Sequence, residues 1–117
     1  MRKLGQTDYE ISPIGLGTWQ FSQGSGLIGS YFSTISEKDM DAIVKMSLNG
    51  GINWFDTAEA YGKGKSEEAL SGALKRLEVE EKDALIATKW WPFLRTAGSI
   101  SSTIQKRKDA LHGRRID

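Results

Sequence analysis

Three residues carry the types and spacing that chemistry needs: Asp56, Tyr61 and Lys89. An apolar run of strand length, Ile52-Asn53-Trp54-Phe55, delivers the Asp56 carboxylate at its end, and a tyrosine follows five residues later in the next loop. A second run, Ala84-Leu85-Ile86-Ala87-Thr88, delivers Lys89 in the equivalent place. If the runs are neighbouring parallel strands, all three side chains project from one rim of one sheet, where sheets that alternate with helices carry their reactive groups. A phenol beside an ammonium group has its phenolate favoured, and a carboxylate paired to that ammonium keeps it charged and in place. Such a tyrosine can pass a proton near neutral pH. The plainer alternative is an ion pair at two strand ends with Tyr61 packed in a loop, because perturbed groups mark functional sites only in a statistical sense.

Positioning that trio requires alternating strands and helices. Residues 2–4, a turn rich in Gly and Asp, and residues 9–12 read as a short hairpin. Residues 13–19 form a compact first strand with proline at its first position, where a missing donor does least harm. After a Gly- and Ser-rich loop, Thr34 with Glu37 or Ser36 with Asp39 offers a capping start to helix one. Its stripe is Met40, Ile43, Val44 and Leu48, and Asn49-Gly50-Gly51 ends it. Residues 58–65 are the loop carrying Tyr61. Ser66 is expected to cap helix two, with Glu67 and Glu68 in the first turn and Leu70, Ala73, Leu74 and Leu77 on the buried face. A helix three, weaker in pattern, is expected to begin at Ser99, Ser101 or Ser102, with apolar positions Ile100, Ile104 and Leu111, and to close at Gly113, before the approach to a fourth strand.

The wording Gly51-Ile-Asn-Trp-Phe-Asp-Thr-Ala-Glu-Ala-Tyr-Gly62, then Ser66-Glu67, then Ala87-Thr88-Lys89, resembles the aldo-keto reductases in order, spacing and flanking residues. Pro13-Ile-Gly-Leu-Gly-Thr-Trp19 also reads like that family's first strand, so the resemblance runs the length of the chain. It implies an α/β fold, the N-terminal part of a (β/α)8 TIM barrel: a hairpin capping the bottom, three β/α units and the start of strand four. Residues 1–117 are then one partial barrel domain, truncated before the strand whose tip carries the family's tetrad histidine. The implied activity is NAD(P)H-dependent reduction of aldehydes or ketones to alcohols. Tyr61 would be the general acid that protonates the carbonyl oxygen, Lys89 would tune it, and Asp56 would pair with Lys89. Thr18, Trp19 and Gln20, with Asp56, would contact the nicotinamide and its ribose; Trp19 and Trp90, with Trp91, would line the substrate mouth. NADP is the implied cofactor and NAD a possibility, since most adenosine and phosphate contacts in the family come from the last strands. The 117-residue chain alone is expected to show little or no turnover. The same barrel also serves as a non-catalytic interaction module in potassium-channel beta subunits, and an incomplete barrel would expose sheet edges at strands one and three that favour self-association.

Composition narrows the field. With 38% apolar and 26% charged residues the balance is that of a globular domain, and a complete barrel of about 250 residues would be more than twice as long. The formal net charge of +1 supplies no field for nucleic acid or an acidic membrane. No cysteine excludes disulfides and thiolate chemistry, and one histidine argues against a multi-histidine metal site. No run approaches the ~20 apolar residues of a membrane span, and the N-terminus has no apolar stretch after its basic pair, so a soluble cytoplasmic protein acting on a small carbonyl compound is expected.

Several tempting features fail on context. Gly24-Ser25-Gly26-Leu27-Ile28-Gly29 matches the dinucleotide fingerprint, but that motif must lead from strand directly into helix, and residues 30–35 intervene. A small Rossmann-type binder would need a helix starting near Gly29. Gly64-Lys65-Ser66 mimics a P-loop end, yet Glu59 stands where the first glycine is required. His112 falls at the end of helix three, where a cation suits the helix dipole, and so is off any strand tip. Lys106, Arg107 and Lys108, with Arg114 and Arg115, read as a solvated helix end.

Overall fold

The computed structural model describes residues 1–25, 30 and 33–117. Strands β1 (Arg2–Lys3) and β2 (Glu10–Ile11) form the antiparallel hairpin, with Arg2 opposite Ile11. β3 (Leu16–Gly17) leads into a 3-10 turn (Trp19–Ser22), then α1 (Glu37–Asn49), β4 (Trp54–Asp56), α2 (Lys65–Arg76), β5 (Leu85–Ala87) and α3 (Ser99–Ala110). β3, β4 and β5 are adjacent and parallel in that order, with Gly17 opposite Asp56 and Asp56 opposite Ala87. The chain thus forms the opening part of a (β/α)8 barrel.

Side chains alternate across the sheet. Phe55 and Ile86 face the helices and pack with Met40 and Val44 of α1, Leu70 and Leu74 of α2, and Leu111 just after α3. Burying each of these contributes about 1.5–3 kcal/mol. Trp54 and Asp56 lie on the opposite face of β4. The Trp54 indole covers Gly15 so closely that a Cβ there would sit 2.3 Å from the ring, and its Nε1 donates to Ser12 O at 3.1 Å. Asn53 clamps the hairpin to the same strand: its Oδ1 accepts from Ser12 N (2.9 Å) and its Nδ2 donates to Glu10 O (2.8 Å).

The helix starts and faces agree with the sequence unevenly. Ser36 caps α1, its Oγ accepting from Asp39 N at 3.1 Å. α2 begins two residues earlier than a Ser66 cap requires, with Gly64 at the N-cap and Ser66 buried inside the first turn. The face of α3 is displaced. Ile100 and Ile104 are 43% and 41% exposed, and the buried residues at its C-terminal end are Arg107, Ala110 and Leu111. A solvated reading of Arg107 is therefore corrected: it is 6% exposed. Arg114 is also engaged, donating through Nη1 to Val79 O at 2.8 Å.

The far edge of β5 is not bare. Asp117 N donates to Ile86 O (2.9 Å) and Asp117 Oδ2 accepts from Ile86 N (3.0 Å), so the approach to strand four covers the strand-three edge at Ile86. Gly26 to Gly29 of the fingerprint lie outside the described residues, but Ser30 and residues 33–36 are not helical and α1 starts only at Glu37, as a Rossmann turn would not allow. Among the described residues no helix is long and apolar enough to cross a membrane, and no cluster of His, Asp and Glu could hold a metal ion.

Candidate active site

The parallel register brings the trio together. Asp56 ends β4, Lys89 follows β5 by two residues, and Lys89 Nζ donates to both Asp56 carboxylate oxygens at 2.7 Å and to Thr57 O at 2.9 Å. Those three acceptors match the three protons of an ammonium group. The same nitrogen lies 5.2 Å from the centroid of the Tyr61 ring, a cation over a π face. Tyr61 in turn stacks on Trp19 from the 3-10 turn, with centroids 5.7 Å apart and planes 19° apart. Trp19 is 37% exposed and Gln20 is exposed beside it. The arrangement is a half-open rim with a phenol, an ammonium and a carboxylate in a row. It can move a proton to or from a small molecule resting on Trp19.

Tyr61 is held there by its loop. Gly62 sits at φ +70°, and a Cβ on it would meet Ser22 O at 2.7 Å, so only glycine lets the loop close onto the 3-10 turn that carries Trp19. Beneath the rim lies a knot of three fully buried hydroxyls. Ser66 Oγ donates to Thr18 O (2.5 Å), Thr57 Oγ1 to Ser66 Oγ (3.0 Å), and Thr18 Oγ1 to Asp56 O (3.1 Å). It ties the ends of β3 and β4 to the first turn of α2. Thr18 therefore points inward, without exposed surface, its hydroxyl engaged with Asp56 O and Ser66 Oγ. Trp90 is half-buried; its Nε1 is buried with no hydrogen-bond partner among the described residues. Trp91 stacks on Phe93 at 6.0 Å. His112 is spoken for by Ser71 Oγ, 2.9 Å from its Nδ1.

A second charged group lies just behind this rim, and motif reading missed it. Glu67 Oε2 meets Arg107 Nη1 at 2.5 Å, and its Oε1 accepts from Thr88 Oγ1 at 2.6 Å. Glu59 Oε2 accepts from Arg95 Nη1 (2.8 Å) and Trp91 N (3.0 Å), and its Oε1 lies 3.8 Å from Arg107 Nη2. Burial raises the Glu67 pKa, against the opposing pull of Thr88 and Arg107. Burial pushes Glu59 up too, but the hydrogen bonds from Arg95 and the Trp91 amide and the two nearby guanidinium charges outweigh it and leave its pKa lowered. Glu59 and Glu67 flank Tyr61 in the sequence, yet nothing in their spacing names α3 as the source of their partner.

The sequence matches the model of the aldo/keto reductase family over residues 13–117. The chain belongs to that family. It is 37% identical over 89 residues to L-galactose dehydrogenase of Arabidopsis thaliana, a stretch that covers 76% of this chain and 26% of that protein. The aldo-keto reductase PA4992 of Pseudomonas aeruginosa, so described, superposes with a TM-score of 0.79 at 27% identity over 99% of this chain and 44% of its own. An aldo-keto reductase from Klebsiella pneumoniae in complex with NADPH gives 0.70 at 20% identity, covering 92% and 34%, a likeness of fold. The chain spans about a quarter of the length of the L-galactose dehydrogenase it matches.

Proposed function

We propose that this aldo-keto reductase segment serves NADP(H)-dependent reduction of aldehydes or ketones, with Tyr61 as proton donor. The observation that carries it is the placement of Lys89 Nζ, 2.7 Å from both Asp56 oxygens and 5.2 Å from the Tyr61 ring, on an exposed rim. The residues suit a nicotinamide: Trp19 offers a flat face next to the phenol, and the half-exposed Asp56 carboxylate can accept from a ribose hydroxyl. When bound, that cofactor supplies hydride to the carbonyl carbon. Tyr61 donates its proton to the carbonyl oxygen while Lys89 sets a positive charge beside the phenolate that results. Asp56 keeps Lys89 aimed.

NADP over NAD rests on likeness to neighbours solved with NADPH or NADP. The identity of the carbonyl compound belongs to the complete barrel, and the isolated 117-residue chain is expected to turn over poorly. In the intact protein with NADPH and 4-nitrobenzaldehyde, Tyr61→Phe should lower kcat by at least about 10²-fold. Unchanged turnover in that variant would discard the proton-donor role.

A further inference from the structure

We propose that Arg107 is a positioning residue for Lys89, acting from α3 through Glu67 and Glu59. The inference rests on Lys89 working beside Tyr61, and it extends that reading to a residue on a helix with no place at the rim. Lys89 is gripped through its neighbours on both sides. Before it, Thr88 Oγ1 donates to Glu67 Oε1 at 2.6 Å; after it, Trp91 N donates to Glu59 Oε2 at 3.0 Å. The Lys89 carbonyl itself accepts from Glu59 N at 3.0 Å. One guanidinium faces both carboxylates that close this grip, Arg107 Nη1 hydrogen-bonded to Glu67 and Nη2 paired with Glu59 Oε1 at 3.8 Å.

The charges are balanced only while all members are present. Glu59 and Glu67 face Arg107 and Arg95, and Arg95 also donates to Trp91 O at 3.2 Å, closing the loop on itself. Without Arg107, Glu67 is a fully buried carboxylate whose hydrogen-bond partner is the Thr88 hydroxyl. It must take a proton or turn away, and either response loosens the residue before Lys89. A lysine cannot replace the guanidinium fully, because one ammonium is a point charge and here two nitrogens of a planar fork reach two carboxylates. The geometry even leaves Arg107 Nε buried without a partner among the described residues, so the fork is aimed at the glutamates at the expense of its own third nitrogen. A pin that only docked α3 would need one such contact, not two that converge on opposite flanks of Lys89.

Thr88→Val in the intact protein removes the grip before Lys89 and keeps all four charges. It should lower kcat about tenfold or more, since a misplacement near 1 Å costs up to ~10²-fold. The KM for NADPH should stay within about twofold, the signature of a transition-state effect. Arg107→Lys, chosen to remain folded, should lower kcat similarly, and amide exchange over residues 88–91 should quicken in both variants while β4 is unchanged. Wild-type kcat together with wild-type exchange at residues 88–91 in both variants would overturn the proposal. Tyr61→Phe run alongside separates the two ideas: if it stays active the proton-donor reading fails and the exchange data alone judge the positioning. If it is dead while Thr88→Val and Arg107→Lys behave as wild type, only the positioning role falls.

Discussion

Asp56–Lys89 and Glu67–Arg107 are both carboxylate–cation pairs, set in opposite surroundings. The side chains of the first are 35% and 51% exposed, those of the second 0% and 7%. Water solvates the first pair in either state, so its attraction adds only about 0–1 kcal/mol to stability. The second has surrendered several kcal/mol of hydration per ion, regained only through close contacts such as Thr88 Oγ1 and Arg107 Nη1 on Glu67. A surface pair can keep an ammonium charged and reachable, which is what proton transfer needs, while contributing little to folding. An interior cluster cannot let go of one member without leaving the rest uncompensated. On the proposed reading, the chemistry sits on the exposed pair and the positioning on the buried one.

That contrast can be broken most directly at Arg107. Arg107→Met should lower the free energy of unfolding by about 3–5 kcal/mol in urea titration, because it strands Glu67 in the interior. The double variant Glu67→Met with Arg107→Met should regain much of this, since Glu59 keeps Arg95. A single-variant loss below about 1 kcal/mol would mean the interior pair behaves as a surface one.

A smaller effect is expected from acid. The Glu59 pKa is lowered from 4.5 in the fold, so its stabilisation is present above that value and is lost as pH falls through the lowered one. The stability gap between wild type and Glu59→Gln should therefore narrow as urea titrations move below pH 4.5. Glu67 contributes with the opposite sign: with its pKa raised, its share is full below 4.5 and lost as pH climbs through the raised value. A gap that widens on acidification would reverse the assignment of Glu59. The smallest change in stability belongs to the rim. Lys89→Met should stay within about 1 kcal/mol of wild type while turnover by the intact protein is lost.

The sequence displays one of these regions and conceals the other. Asp56, Tyr61 and Lys89 each follow an apolar run in chain order, so their shared rim can be derived once the runs are neighbouring parallel strands. α1 was similarly plain, because Ser36 and Asp39 open it and Met40 and Val44 repeat at helical spacing. α3 misleads for an identifiable reason: its most apolar residues, Ile100 and Ile104, face outward, and its inward residues at the C-terminal end are an arginine, Ala110 and Leu111. Periodicity weighs side chains by hydropathy, and an arginine scores as surface whichever way it faces. Four-residue spacing of Thr103, Arg107 and Leu111 was the only local trace. Ser66 misleads in the same way, since a serine among acidic residues signals a cap, whereas here its hydroxyl is spent on Thr18 and Thr57.

By itself the sequence determined the alternation of strands and helices and the candidate trio Asp56, Tyr61 and Lys89, because these depend on local periodicity and on residues a few positions apart. Only the tertiary structure decided that Thr18 turns inward, that Asp117 covers the β5 edge, and that Arg107, 18 positions beyond Lys89, stands behind it. The reason is physical: a buried charge is chosen by whatever opposite charges the packed helices bring within reach, and that distance in space has no fixed relation to distance along the chain.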